Sequence, residues 1–258
     1  MTNDLDESAA ELAVLGVGSI AEAIVTGLCA APTRRRIVLS PRGAERAARL
    51  AARHPGVRVA TDNQAAVASA GTILLSLRVA DAREVLPALT FGRQQRVISV
   101  MPSLTVADLQ ALIGDVAEIS RAIPSVAVAE RTGFTPIYPA GSAAQALFDD
   151  LGASMVLATE HQLDAASVAS ATVATYFEYL GTIAEWLVGQ GVQRSSAQRM
   201  VAAVFAGASA DLAHSSAFAT LASQHATPGG QNEQLLAALR SAGMFDLVTD
   251  AMGDLVDD

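Results

Sequence analysis

The chain has 258 residues and a formal net charge of −9, and 51% of its residues are hydrophobic while only 4% are aromatic. A chain of this length can bury a sizeable core, and we expect two domains. All 17 basic residues are arginine, which excludes Schiff-base chemistry and a catalytic lysine. The acidic balance argues against a polyanionic partner such as nucleic acid.

The sequence also argues against a membrane span, a disulfide and a metal site. No apolar run approaches the about 20 residues that a membrane span requires, and the amino terminus is acidic and polar rather than a signal peptide. We therefore expect a cytoplasmic protein. Cys29 is the only cysteine, so no internal disulfide is expected. His54, His161 and His214 lack the spacing of metal ligands, so we expect no metal.

Residues 1–10 form a polar segment that we expect to be flexible, and residues 11–158 form a first domain of the α/β class. Short apolar runs alternate there with amphipathic helical stretches, which is typical of a doubly wound parallel sheet covered by helices. The predicted strands are Leu12–Leu15, Ile37–Leu39, Val57–Ala60, Ile73–Leu77, Val97–Met101 and Ile119–Ile123. Two further strands, Phe134–Tyr138 and Met155–Ala158, bracket a helix near Ser142–Leu151 and complete the sheet.

Residues 159–258 show no strand pattern and are predicted to form an all-α domain. The predicted helices are Leu163–Val188, Ser195–Leu212, Ala217–Gln224 and two more after the turn at Thr227–Gly230. Their apolar residues lie on more than one face, which is more than a bundle of this size can bury by itself. We therefore expect a partner subunit to cover them, as in a homodimer.

The most informative motif, Gly16-x-Gly18-x-x-Ala21, lies between the first strand and the first helix. The glycines allow a tight turn and let backbone N–H groups approach a pyrophosphate, while small Ala21 lets the helix pack close to the strand. The motif predicts a Rossmann-type dinucleotide site, and the alternative is a glycine-rich turn without a ligand. The predicted contacts come from Gly16, Gly18, Ser19, Ile20 and Ala21.

The residues after the second strand indicate which dinucleotide binds. An acidic residue that would bind a ribose 2′-hydroxyl is missing there, and the sequence has Ser40 and Arg42, with Arg46 one turn further on. A hydroxyl and a guanidinium suit a 2′-phosphate, which predicts NADP(H) rather than NAD. The alternative is that Arg42 only caps the start of a solvated helix.

With these residues placed, the chain resembles the pyrroline-5-carboxylate reductase family over nearly its full length. The similar segments follow the family's order: Gly16–Ala23, Ser40–Arg42, Thr61–Asn63, Leu77–Arg78, Val97–Val100, Arg121–Ser125, Leu163–Ala165 and Thr227–Gly230. Such proteins reduce a cyclic imine with NADPH, as dimers of interlocked helical domains or as rings of such dimers. The resemblance implies further cofactor contacts from Asn63, Leu77, Arg78, Met101 and Pro124.

The segments on the substrate side differ from the family pattern. The family's Ser-Gly-Ser-Gly-Pro-Ala-Tyr is here Ser170–Tyr176, without the two glycines and the proline, and Gln231 and Asn232 replace a small residue and a threonine. The resemblance implies that residues 159–258 hold the dimer interface and the substrate. The implied substrate contacts are Ser170, Thr172, Tyr176, Thr227, Gly229, Gly230 and Gln231.

Asn232 is the candidate catalytic residue. Its amide N–H can donate to an imine nitrogen, where electron density collects as the hydride arrives at carbon. The alternative is that Asn232 caps a helix beginning near Glu233. The sequence thus predicts NADPH-dependent reduction of pyrroline-5-carboxylate to proline, or of a related cyclic imino acid. Another NADP-linked hydride transfer on the same scaffold, or a homologue that binds the dinucleotide without catalysis, remains open.

Overall fold

The structure, a computed structural model, describes residues 11–213 and 217–257. The segment 1–10, predicted to be flexible, and His214 lie outside the described residues. The chain divides into two compact units, with residues up to Ser167 in the first and residues from Val168 in the second. We predicted a division between residues 158 and 159, just before the long helix that contains Ser167 and Val168.

The first unit is built on one eight-stranded sheet with the strand order β3-β2-β1-β4-β5-β6-β7-β8. Its strands are β1 (Glu11–Leu15), β2 (Arg36–Leu39), β3 (Val57–Val59), β4 (Thr72–Leu75), β5 (Arg96–Ser99), β6 (Glu118–Ala122), β7 (Gly133–Tyr138) and β8 (Gly152–Val156). Neighbouring strands are parallel except β6 and β7, which pair antiparallel. The predicted Rossmann-type α/β fold is confirmed.

Six helices accompany this sheet. They are α1 (Ser19–Ala30), α2 (Ala44–Arg53), α3 (Asn63–Ala68), α4 (Val79–Val85), α5 (Val106–Ile113) and α6 (Ala143–Asp149). Alternate residues of β1 belong to two different apolar clusters: Leu12 and Val14 pack with α1, α2 and α6, and Ala13 and Leu15 pack with α3 and α5. Both faces of the central strands are therefore covered, which explains why their sequences are continuous apolar runs.

The last strand begins three residues earlier than predicted, at Gly152 rather than Met155. Gly152 pairs with Gly133 of β7, and a Cβ at Gly152 would lie 2.2 Å from the Gly133 carbonyl oxygen. This contact explains the glycine. Because β8 is at the edge of the sheet and its residues are largely exposed, hydrophobicity does not mark where it starts.

The helical part of the chain begins with α7 (Glu160–Gly189), which starts in the first unit and ends in the second. The others are α8 (Arg194–Ala210), α9 (Phe218–His225), α10 (Gln231–Ser241) and α11 (Met244–Asp257). The predicted all-α character is confirmed for the described residues. Large apolar side chains are exposed on this unit, among them Phe177, Trp186, Phe218 and Leu247. Within the described residues, no helix has the length and apolar character needed to cross a membrane.

Candidate functional site

The turn after β1 is held in one conformation by its surroundings. Gly16 has φ +88°, and a Cβ at this position would lie 2.3 Å from the carbonyl oxygen of Ser76. Its N–H donates a hydrogen bond to the Ser40 Oγ at 3.0 Å. A side chain is excluded at Gly16 by both backbone conformation and space.

Gly18 differs from Gly16 because the space around its Cβ position is open, whereas a Cβ at Gly16 would clash with Ser76. Gly18 is the residue before α1, and apart from Gly18 itself and its two chain neighbours no described atom lies within 4 Å of the position that its Cβ would take. Because glycine has no side chain that could cap α1, the N–H groups in the first turn of α1 can bind an anion. Ala21, on the same turn, is fully buried against the sheet. These residues fit a pyrophosphate.

Ser40 and Arg42, both predicted to contact a 2′-phosphate, occupy different environments. Ser40 is only 1% exposed, and its hydroxyl accepts the Gly16 N–H, so it supports the glycine turn. Arg42 is exposed, and its Nη2 lies 2.9 Å from the Asp81 Oδ1 of α4. The residue that precedes α2 is Gly43, so the alternative in which Arg42 caps that helix is wrong. The phosphate contacts of both residues stay predictions.

The neighbouring arginines are also paired with carboxylates. The Arg46 Nε lies 2.9 Å from Glu22 Oε2, and Arg49 Nη2 lies 2.8 Å from Glu22 Oε1. The Arg46 Nη1 is also 3.5 Å from the Ser19 hydroxyl. Hydrogen bonding and the charge of Glu22 raise the pKa of Arg49. Arg49 Nη1 lies 4.0 Å from Glu45 Oε1 as well. With Arg42 and Asp81, this corner of the molecule therefore combines three guanidinium groups with three carboxylates.

The other predicted cofactor residues follow the carboxyl ends of β3 to β6. Asn63 is the first residue of α3, Leu77 and Arg78 lie between β4 and α4, and Met101 and Pro124 follow β5 and β6. Because β1 to β6 are parallel, these loops and the glycine turn meet at one edge of the sheet. Ligands of open α/β sheets bind at this edge.

Arg121 was missed as a functional candidate, although its segment was singled out. It is on β6 and only 1% exposed, with Nη1 2.6 Å from a Glu160 oxygen and Nη2 2.8 Å from an Asp164 oxygen. Its Nη2 also donates to the carbonyl oxygen of Pro102, in the loop after β5. The signal was available, since a charged residue inside an apolar strand requires a partner when buried.

Glu160 connects a further element to this cluster. Its carboxylate also accepts the backbone N–H of Val106, the first residue of α5, at 2.7 Å. Arg121 and Glu160 thus hold together the loop after β5, the start of α5 and the first turn of α7. Met101 precedes Pro102 in the loop after β5, and Pro124 follows β6, so this cluster lies close in the chain to two predicted cofactor contacts.

The predicted substrate residues on α7 have contacts within the second unit. Tyr176 packs its ring against Phe177 and Phe205, with centroids 5.5 Å and 6.4 Å apart. The Thr172 hydroxyl donates to the Ala169 carbonyl oxygen at 2.7 Å, and Ser170 is exposed on the same helix. Tyr176 thus belongs to an aromatic cluster, and the substrate contacts of all three stay predictions.

The remaining substrate candidates form the turn before α10. The Gly230 N–H donates to the Thr227 carbonyl oxygen at 2.8 Å, and the Gly229 N–H donates to a Glu233 carboxylate oxygen at 2.7 Å. The helix begins at Gln231, and Gly230 precedes it. The alternative in which Asn232 caps this helix is therefore wrong, because the helix starts before Asn232 rather than near Glu233.

Asn232 uses its amide within the same turn. Its Nδ2 donates to the backbone carbonyl oxygen of His225 at 3.0 Å, and the His225 Nε2 lies 3.0 Å from Asp211 Oδ2. An amide has two N–H groups, so one remains for another acceptor.

Metal ions and reactive thiols each require a particular arrangement of side chains. Within residues 11–213 and 217–257, no group of three or more His, Cys, Asp or Glu side chains is arranged to hold a metal ion. Cys29 is partly buried, and this burial raises the pKa of its thiol, which makes it a poor nucleophile.

Comparisons with known proteins match both parts of the chain. Residues 11–103 match a family model described as NADP oxidoreductase coenzyme F420-dependent, and residues 160–257 match one described as pyrroline-5-carboxylate reductase dimerisation. The chain is 28% identical to a pyrroline-5-carboxylate reductase of Pseudomonas aeruginosa over 95% of this chain and 94% of that protein. It is 26% identical to pyrroline-5-carboxylate reductase 2 of Bacillus subtilis, over 90% and 87%.

Solved structures show the same fold. The 1-pyrroline-5-carboxylate reductase of Streptococcus pyogenes superposes with a TM-score of 0.80 at 21% identity, covering 96% of this chain and 97% of that one. The pyrroline carboxylate reductase of Plasmodium falciparum with NADP bound gives a TM-score of 0.75 at 15% identity, with 96% of each chain covered.

Proposed function

We propose that the chain, which is similar to pyrroline-5-carboxylate reductases over nearly its full length, uses NADPH to reduce the C=N bond of a cyclic imine. The substrate is pyrroline-5-carboxylate, reduced to proline, or a related cyclic imino acid. The observation with the most weight is the glycine turn of a Rossmann-type sheet in the same chain as a reductase dimerisation domain. The activity belongs to proline biosynthesis if pyrroline-5-carboxylate is the substrate.

NADP(H) is the coenzyme. In our proposal its pyrophosphate lies at the N-terminus of α1, beside Gly18, and its 2′-phosphate is bound by Arg42. Two findings support this placement: the open space at Gly18 and the position of Arg42 in the loop after β2. The loops with Met101 and Pro124 then lie toward the nicotinamide end.

When bound, NADPH supplies the hydride that the imine carbon accepts. The protein has to orient the reactants, exclude water and favour the build-up of electron density on the imine nitrogen. Asn232 can do the last of these with the amide N–H that does not bind His225. The Thr227 hydroxyl is the second candidate donor.

The substrate carboxylate is assigned to the N-terminus of α10. The N–H groups of Gly229 and Gly230 already have acceptors, Glu233 and Thr227. The backbone N–H groups of Gln231 and Asn232, in the first turn of an 11-residue helix, are therefore the proposed ligands of the carboxylate.

The protein is a homo-oligomer through its dimerisation domain, and we propose a dimer as the basic assembly. The exposed apolar side chains of the second unit support it, because a monomer would leave them in water. The cytoplasmic location expected from the amino-terminal sequence stays a prediction.

NADPH oxidation, followed at neutral pH with a panel of cyclic imines and 2-keto acids, tests the activity. Turnover of pyrroline-5-carboxylate or another cyclic imine is the expected result. Turnover of 2-keto acids instead would indicate a different hydride transfer, and tight NADPH binding without turnover would indicate a homologue without catalysis. Either outcome would contradict the proposal.

A further inference from the structure

We propose that Asp81 weakens the preference of this protein for NADPH by competing with the 2′-phosphate of NADPH for the guanidinium of Arg42. This inference depends on the proposed function, in which Arg42 binds that phosphate. The observation behind it is the 2.9 Å contact between Arg42 Nη2 and Asp81 Oδ1.

The position of this ion pair relates it to the dinucleotide site. Arg42 is in the loop after β2, Asp81 is in the first turn of α4, and β2 and β4 are the two neighbours of β1. The pair therefore joins the loop after β2 to the first turn of α4, and these two segments follow the two strands that neighbour β1. A dinucleotide bound at the glycine turn after β1 lies between these two segments.

Binding a phosphate and a carboxylate to the guanidinium of Arg42 at the same time is unfavourable, because the two anions repel each other. The 2′-phosphate must displace Asp81 or share Arg42 with it, and in either case two anions are brought close together. The ribose of NADH has a hydroxyl at this position and leaves the ion pair intact. The negative charge of Asp81 thus lowers the affinity for NADPH and has little effect on NADH.

The neighbouring arginines do not remove this competition. Arg46 and Arg49 both pair with Glu22, so each cation in this corner already has an anionic partner. The side chains of Arg42 and Asp81 are 56% and 26% exposed, so solvent screens the interaction and the effect is moderate. Exposed pairs of this kind correspond to about a twofold to fivefold change in an equilibrium constant.

Asp81→Asn keeps the shape of the side chain and removes its charge. We expect the Kd for NADPH, measured by calorimetric titration, to fall about twofold to fivefold, while the Kd for NADH stays unchanged. The gain should shrink as the salt concentration rises, because salt screens exposed charges. Glu84→Gln is the matched control: Glu84 is exposed on the same helix, and removing its charge should change neither Kd.

A double-mutant cycle tests whether Arg42 mediates the effect. In an Arg42→Ala background, Asp81→Asn should no longer improve NADPH binding. The same gain in both backgrounds, an equal gain for NADH, or no gain in Asp81→Asn and in a second variant, Asp81→Ser, would overturn the inference. Any of these results overturns only the role of Asp81 if the wild type binds NADPH and Arg42→Ala weakens that binding. The proposed coenzyme site then still stands. Wild-type protein that binds no pyridine nucleotide would overturn both.

Discussion

Gly16 and Gly18 of the first turn have different roles. Replacing each with alanine, which adds a Cβ atom, distinguishes these roles. Gly16→Ala forces a side chain into φ +88° and to 2.3 Å from the Ser76 carbonyl oxygen, so we expect a loss of about 2 to 4 kcal/mol of unfolding free energy. Gly18 has an extended backbone and open space around its Cβ position. Gly18→Ala should therefore lower the unfolding free energy by less than about 1 kcal/mol. Urea unfolding measures both.

The same Gly18→Ala variant should weaken NADPH binding by about tenfold or more, because its methyl group occupies the space assigned to the pyrophosphate. Calorimetric titration of the folded variant checks this. Unchanged NADPH affinity in Gly18→Ala would show that the pyrophosphate does not lie beside Gly18.

Arg42→Ala tests the phosphate contact at the level of a single side chain. Loss of the guanidinium should raise the KM for NADPH by about tenfold to a hundredfold and leave the KM for NADH nearly unchanged, because only NADPH has the 2′-phosphate. Steady-state kinetics with both coenzymes measures the ratio. An equal effect on the two would remove Arg42 from the phosphate site.

The glycine positions and Arg42 could be singled out as candidates from the sequence, because these follow from local spacing after a strand; their contacts with the coenzyme stay predictions. The sequence did not identify Asp81 or the environment of Ser40. Asp81 is 39 positions from Arg42, and a pairing over such a separation depends on the order of the strands. Ser40 was predicted to contact the 2′-phosphate through its hydroxyl, and the burial of that hydroxyl against Gly16 is a tertiary contact that spacing does not reveal.

At the scale of elements, Arg121 joins β6 to α7. Arg121→Met removes the cation between Glu160 and Asp164 and the donor to Pro102, so we expect a loss of about 2 to 4 kcal/mol of unfolding free energy. The two carboxylates are partly exposed, which keeps the loss below that of a fully buried pair.

An ion pair at the far end of the same helix provides the control. Glu185 of α7 pairs with Arg194 at the surface, where both side chains are more than half exposed, so Glu185→Gln should cost under about 1 kcal/mol. Chemical denaturation of both variants compares them directly. Equal losses would show that burial of Arg121 contributes nothing special to the junction.

The elements themselves were predictable where hydrophobic periodicity is strong. The strands β1, β4 and β5 are buried on both faces and appear as continuous apolar runs. The prediction placed the starts of β8 and α10 later in the chain than the structure does. Both starts are fixed by glycines, Gly152 and Gly230, whose contacts are visible only in the fold.

At the scale of the whole molecule, the exposed apolar side chains of the second unit predict self-association. Trp186 is 63% exposed on α7, and Trp186→Arg should raise the dimer Kd by about thirtyfold, or about 2 kcal/mol, as the loss of a buried interface aromatic does. Light scattering across a dilution series measures this. Arg93→Glu, a charge reversal at an exposed turn of the first unit, should leave the dimer unchanged. Equal dimer stability in both variants would place the interface elsewhere.

The two-part organisation could be predicted because the change from alternating to purely helical patterns is a property of long segments. The substrate pocket could not be predicted to the same degree. The segment Ser170–Tyr176 differs from the motif of the family that the chain resembles, and the amide of Asn232 donates to the carbonyl oxygen of His225. Coenzyme chemistry is therefore better supported by sequence and structure than the identity of the imine.

Calorimetric titration of the wild-type protein with NADPH and NADH tests the central claim, which is a dinucleotide site at the glycine turn with Arg42 at its phosphate end. We predict binding of NADPH at micromolar concentrations and weaker binding of NADH. Absence of binding by both coenzymes at millimolar concentrations would contradict the account.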